Sequence, residues 1–273
     1  LPFLLLVILW ADYSFAQKTL IYSDPYKSYK TAQELFDKEK YSSAQYYFKE
    51  VINKFDNPQD EIRINAEYYF AVCALKLYHR NVETILTRFA LDHPDHPKSK
   101  NIYFQLGKHY YQTKKFKKSI EFFEKVDQYD LSKSDQNEYL FKLGYSKFMK
   151  KNLDESKVLF NELLQRKTDY EIPTTYYYSH IAYSEGKYQT ALEGFRKISR
   201  NKMFKPIIPY YITQILYQQS KYDELISYAP SYLDSITEKR KGEFAKLIAD
   251  SYFKNKNFKT SLSYYKIFKK YAK

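Results

Sequence analysis

A small residue set among apolar ones returns along this chain at a nearly constant interval, and that interval limits the fold more than any other feature. Ala32, Ala71, Gly107, Gly144, Ser179, Thr213 and Ala249 are separated by 39, 36, 37, 35, 34 and 36 residues. Self-similarity at a period of about 20–50 residues marks a repeat architecture, in which each copy is one supersecondary unit. The clearest copy is Asn101–Val126. There Tyr103, Leu106, Gly107 and Tyr110 fall at i, i+3, i+4 and i+7, one face of an α-helix. Phe116, Ser119, Ile120 and Phe123 repeat that spacing, with Val126 closing the face and the polar Gln112–Lys115 as the turn between. Each copy therefore predicts two amphipathic helices.

The second helix of a unit carries a small residue and an aromatic four positions later. The pairs are Ala44/Phe48, Ser119/Phe123, Ser156/Phe160, Ala191/Phe195 and Ser261/Tyr265. Tyr41, Phe116, Leu153, Tyr188 and Phe258 stand three residues before the small position and open those helices. Two units depart. Ile64–Pro97 has Glu83 and Thr87 where the pair belongs, and Pro206–Lys241 has Leu225 and Ala229 followed by Pro230. A proline inside a helix removes a hydrogen bond, so the sixth unit's second helix is expected to kink or end there.

This pattern resembles the tetratricopeptide repeat (TPR), whose signature is aromatic-x2-Leu-Gly-x2-Tyr followed by small-x3-Phe. Here it reads Tyr103-x2-Leu106-Gly107-x2-Tyr110 and Ser119-x3-Phe123. The resemblance covers about residues 28–271 and implies an all-α fold, an α-solenoid of about seven helix-turn-helix units in a right-handed superhelix. Domain organisation follows as residues 1–16 a signal peptide, 17–27 a lead-in and 28–273 the repeats. The last unit has no polar capping helix over Phe258, Leu262 and Phe268, so the natural chain is expected to continue beyond residue 273.

The resemblance also implies a concave face lined by the first helices. Carried over position by position, it offers Tyr68 and Leu75 from the second unit, and Phe104, Lys108 and Tyr111 from the third. The fourth offers Phe141, Tyr145 and Phe148, the fifth Tyr176, His180 and Tyr183, and the sixth Tyr210, Gln214 and Tyr217. Tyrosine and phenylalanine give large contact area at small entropic cost, which suits a peptide-binding groove. The same rings also suit close packing between helices, and at this point both readings stand. Chaperone-binding members of the family hold a ligand carboxylate with lysine and asparagine at such positions. This chain places aromatics at most of them, which argues against that mode.

Leu1–Trp10 is an unbroken apolar run, and Ser14 and Ala16 stand at −3 and −1 of a cleavage site. That is the pattern of a secretory signal peptide, too short for a comfortable membrane span. No basic stretch precedes the run, so an initiating methionine and a few basic residues are expected upstream. The phrase SFAQ, with the Lys- and Tyr-rich usage, is similar to exported proteins of Bacteroidetes-type bacteria. Export to the periplasm or outer membrane of a Gram-negative cell follows as the expectation.

The formal net charge is +13, which admits nucleic acid, anionic lipid or acidic proteins as partners. The lysines are scattered without a block of five, so a solvated basic surface is expected rather than a nucleic-acid site. The single cysteine, Cys73, excludes an internal disulfide and a cysteine-based zinc site; a small buried thiol is expected. No Gly-rich phosphate loop, G-x-S-x-G or H-E-x-x-H occurs. His93 and His96, in LDHPDHP, are the only cluster of metal-like ligands, and the neighbouring prolines favour an exposed inter-repeat loop. Asp154/Glu155 and Asp223/Glu224 sit at helix starts, where the dipole favours negative charge.

The expectation is a non-catalytic scaffold of the cell envelope without a cofactor, holding a protein or peptide segment in the groove. Lys108 and Lys142 favour acidic flanks on that ligand. The alternatives are the N-terminal sensor module of a membrane receptor, and a superhelix guiding substrate to a catalytic domain outside this sequence.

Overall fold

The structure, a computed structural model, describes residues 25–271; the signal-peptide and most of the lead-in expectations lie outside them. The described residues form helices α1 (Pro25–Asp37), α2 (Tyr41–Lys54), α3 (Glu61–Lys76), α4 (Val82–Asp92), α5 (Pro97–Gln112), α6 (Phe116–Phe123) and α7 (Lys133–Met149). They continue with α8 (Leu153–Leu164), α9 (Glu171–Ser184), α10 (Tyr188–Ile198), α11 (Ile208–Gln218), α12 (Tyr222–Tyr228), α13 (Glu238–Lys254) and α14 (Phe258–Tyr271). Consecutive pairs make seven hairpins, an all-α solenoid with no strand among the described residues. The chain divides into two compact units, residues 1–102 and 103–273.

Each hairpin closes on the same turn. Seven residues beyond the small position, the backbone enters the left-handed region: Glu39, Tyr78, Lys114, Lys151, Gly186, Ser220 and Lys256 have φ between 55° and 73°. Two backbone bonds lock the reversal. In the third hairpin Lys115 N–H donates to the Tyr110 carbonyl at 2.8 Å and Lys114 N–H to the Tyr111 carbonyl at 3.0 Å. This satisfies carbonyls that a helix end would otherwise leave open. Only the fifth hairpin puts glycine, Gly186, at the left-handed position.

The small residues do what their spacing predicts. Ala32, Ala71, Ser179, Thr213 and Ala249 are buried, and the rings of Phe123 and Phe160 lie across Gly107 and Gly144. A Cβ at Gly107 would meet Phe123 at 2.6 Å. The second-helix serine sits opposite: Ser119 Oγ donates to the Gly107 carbonyl at 3.0 Å, and Ser156 Oγ to that of Gly144 at 2.8 Å. Ser261 Oγ makes the same bond to Ala249 at 2.8 Å. Leu106, Tyr110, Leu140 and Leu143 are buried in the core as expected, while Tyr103 is half-buried.

Both irregular units keep two helices. In the second, Val82 follows Ala71 by 11 residues, where Phe116 follows Gly107 by 9. The longer turn shifts the phase, so Val82, Leu86, Phe89 and Ala90 fill the core in place of Glu83 and Thr87. In the sixth, the α-helix stops at Tyr228 and the chain continues as a 3-10 helix over Ala229–Ser235, with Pro230 in its first turn. The core of the first unit gathers Ala32, Phe48, Val51 and Cys73. In the second unit, one cluster centres on Phe123, Leu140 and Phe160, another on Phe195, Ile212 and Phe244.

Candidate functional site

The first helices α7 and α9 of the second unit carry ring side chains at i, i+4 and i+7, so these rings line up along one stripe of each helix. Phe141, Tyr145 and Phe148 do so on α7, Tyr176, His180 and Tyr183 on α9. Stacking the helices joins the stripes into a ladder. Tyr111 meets Tyr145 edge-on at 5.5 Å between ring centres, and Tyr145 meets Tyr177 at 4.9 Å. Tyr177 meets Phe148 at 5.1 Å, and Phe148 meets His180 at 5.4 Å. His180 and Tyr183 then converge on Tyr211 at 5.3 and 5.5 Å. Edge-to-face pairs of this kind contribute about 0.5–1.5 kcal/mol each beyond burial. Burial raises the Tyr111 phenol to about 12 and those of Tyr176 and Tyr177 further, so all three remain uncharged hydroxyls. Burial, and after it the charge of Arg240, holds the His180 imidazole below its ordinary pKa.

Several of the expected groove residues do not offer surface. Phe104 is fully buried, packed 6.0 Å from Phe123, the ring that occupies the space over Gly107. It is a core residue. Phe141 and Tyr210 are 8% exposed, closed off by the neighbouring rings of Tyr170 at 4.9 Å and Tyr211 at 5.7 Å. Tyr68, in the first unit, is also 8% exposed; Phe89 lies beside it at 5.7 Å and the Lys98 ammonium 5.1 Å from its ring centre. Leu75 is buried as well. Lys108, Tyr111, Tyr145, Phe148, Tyr176, His180, Tyr183 and Tyr217 are half-buried, each keeping part of its side chain on the surface.

Polar groups run beside the rings. Lys108 Nζ donates to Glu138 Oε2 at 2.8 Å, and Lys142 pairs with the other oxygen of Glu138. Burial raises the Glu138 pKa, but the two lysines outweigh it and hold the carboxyl below its ordinary value. Further along, Tyr183 OH donates to Gln214 Oε1 at 2.8 Å. Gln214 Nε2 donates to Tyr210 OH at 2.9 Å and to Glu243 Oε1 at 3.0 Å, and Tyr210 OH donates to the other Glu243 oxygen.

Tyr177, Glu138, Glu243 and Arg240 belong to this surface, Tyr211 joins its rings from a buried position, and none of the five was foreseen. Tyr177 and Tyr211 are one residue from expected positions, a turn of 100° around the helix that sequence spacing assigns elsewhere. Glu138 had a signal, since it stands four residues before Lys142 on one helix face. Arg240 lies nine residues before Ala249, ahead of the positions the repeat pattern assigns.

Elsewhere the structure corrects one expectation and explains two. His93 is buried, not exposed: its Nε2 lies 2.7 Å from Glu67 Oε2, and the Ser99 hydroxyl donates to its carbonyl at 2.5 Å. Cys73 is fully buried, and burial raises its thiol to about 12. The carboxylates at helix starts find partners beyond their own helix: Glu155 pairs with the buried Lys147 of the same hairpin, and Asp223 accepts from Asn255 of the next at 2.6 Å. Among the described residues no group of three His, Cys, Asp or Glu side chains is placed to hold a metal ion, and no helix is long and apolar enough to cross a membrane.

No family model matches this sequence, and no curated protein does. Solved structures do. A tetratricopeptide repeat protein from Parabacteroides merdae is 11% identical with a TM-score of 0.53, over 89% of this chain and 98% of that one. The C-terminal part of a TPR repeat-containing protein from Cytophaga hutchinsonii is 16% identical with a TM-score of 0.52, over 88% of each chain. The apo form of RapI is 14% identical with a TM-score of 0.52, over 90% of this chain and 97% of that one. At such identities the likeness concerns the fold, and the fold is that of tetratricopeptide repeat proteins.

Proposed function

We propose that this protein is a non-catalytic interaction scaffold of the bacterial cell envelope, and that its second unit holds a peptide or protein segment against the aromatic ladder. The observation that carries the reading is the ladder itself. Tyr111, Tyr145, Tyr177, Phe148, His180 and Tyr183 are half-buried and joined ring to ring, His180 and Tyr183 through the buried Tyr211, and Tyr217 is half-buried on the next first helix. Each ring is braced by its neighbours, so little rotamer freedom remains to be lost on binding. Aromatic anchors on a preformed surface are the usual centres of binding energy. Lys108 and Lys142 share the single charge of Glu138, so a net positive charge remains at that end, which favours acidic flanks on the ligand. The apolar run Leu1–Trp10 with Ser14 and Ala16 supports export and location at the periplasm or outer membrane.

Photo-crosslinking tests the reading. Benzoylphenylalanine at Tyr183 or Tyr217 should give discrete protein adducts in a cell that expresses the chain. At Val158, 68% exposed on α8, it should give none. Equal adducts from Val158, or none from the ladder, would overturn the proposal. Mass analysis of the exported protein should find Gln17 at its amino terminus.

A further inference from the structure

We infer that Arg240 is a receptor for a side-chain carboxylate, so that the segment held on the ladder carries an aspartate or glutamate next to an apolar anchor. This rests on the peptide-binding reading above and specifies what the ligand must contain.

Three arginines among the described residues are half-buried: Arg63, Arg166 and Arg240. The first two are saturated by the protein. Arg63 donates to the Phe55 carbonyl at 2.6 Å and pairs with Glu67 at 3.0 Å. Arg166 pairs with Glu162 at 2.7 Å and donates to Asn137 Oδ1 at 3.1 Å. Arg240 has neither. Its guanidinium lies over the Tyr210 ring at 4.6 Å and over the Tyr211 ring at 5.5 Å, and among the described residues it forms no ion pair and donates no side-chain hydrogen bond. The carboxylate one turn further along its own helix, Glu243, is bonded to Tyr210 and Gln214 instead.

Such a placement has a chemical meaning. A guanidinium held over aromatic rings is positioned by them, and here its N–H groups have no side-chain acceptor among the described residues. Those groups form a rigid planar fork that matches the two oxygens of a carboxylate. The tyrosines partly shield the fork from water, which strengthens a charge-assisted bond over one at an open surface. The anion is that of a passing side chain rather than of a chain end, because aromatic surface continues beyond Arg240. Tyr211 contacts His180, which leads to Phe148, Tyr145 and Tyr111, while Tyr217 lies further along α11. A segment lying on these rings therefore passes Arg240 rather than stopping there.

The test uses the full chain and two synthetic octapeptide libraries, one C-terminally amidated and one with free C-termini. Bound members are identified by mass spectrometry. The amidated library should enrich Asp or Glu beside an aromatic or aliphatic residue. The best member should bind about tenfold more weakly when its acid is changed to the amide, and also to Arg240→Gln. Combining the two changes should cost no more than either alone. Arg240→Lys, which keeps the charge and loses the fork, should fall between. Thermal melts of the variants guard against lost folding, and Arg240→Lys, which keeps the charge and the aliphatic stem, carries the same test on the amide and acid peptides if Arg240→Gln is unstable. Enrichment without acidic residues, or binding indifferent to Arg240→Gln, would overturn the role of Arg240 and leave the ladder as a binding surface. Binding only from the free-acid library would overturn the side-chain assignment. Retention of no member from either library would overturn both this inference and the peptide-binding reading.

Discussion

The fourth and sixth hairpins begin alike and finish differently. Both place a small residue in the first helix, Gly144 or Thr213, and both turn through a left-handed residue seven positions later, Lys151 or Ser220. Past the turn the fourth hairpin has Ser156 and Phe160, the sixth Leu225 and Ala229, and all four are fully buried. Large and small have exchanged places. In the fourth hairpin the ring of Phe160 needs the space over Gly144, and Ser156 donates to the Gly144 carbonyl. In the sixth, Leu225 fills the position of the serine, Ala229 that of the ring, and the Thr213 hydroxyl is buried without a hydrogen-bond partner among the described residues. The repeat thus conserves a filled volume and a turn, while the residues that supply the volume are exchangeable. Cores tolerate such exchange when total volume and pattern are kept.

The comparison can be broken at several points, each read by urea denaturation. The largest effect is expected from Phe160→Ala, about 3–5 kcal/mol, because it empties the space over Gly144; Ala229→Gly in the sixth hairpin should cost far less. Next comes Gly144→Leu, whose Cβ would already meet Phe160 at 2.8 Å; overpacking should cost about 1–3 kcal/mol. An unchanged midpoint would show that Phe160 does not lie there. Smaller, and opposite in sign between the hairpins, are the hydroxyl changes. Ser156→Ala should lose about 1 kcal/mol with its hydrogen bond, whereas Thr213→Val should gain up to about 1 kcal/mol by removing an unpaired polar group. Two losses of similar size would mean that Thr213 has a partner.

The smallest effects concern the turns. Lys151 and Ser220 hold φ at 65° and 56°, a conformation that a side chain disfavours. Lys151→Gly and Ser220→Gly should each gain a few tenths of a kcal/mol, up to about 1, with part of the relief offset by glycine's greater freedom in the unfolded chain. Gly186→Ala, at φ 73°, should lose about 1 kcal/mol. A gain on Gly186→Ala would contradict the shared turn geometry.

The sequence by itself determined the repeat and the two helices of each unit. Those features depend on local spacing and side-chain size, which a linear pattern displays directly. It also foretold that α12 would end near Pro230, because a missing N–H is a local defect. It could not say which rings of a stripe face out. Phe104 and Tyr111 both sat on the expected groove face, yet Phe104 is fully buried and Tyr111 half-exposed. The outcome depends on Phe123 of the following helix, which fills the space over Gly107 and packs against Phe104. His93 shows the same limit. Its flanking prolines promised an exposed loop, and Glu67, 26 residues earlier in the chain, draws it into the protein. Tertiary structure alone decided these cases, and the state of Arg240 with them, because burial and the pairing of charges are properties of the neighbours that packing brings up, and sequence spacing records only the residue's own helix.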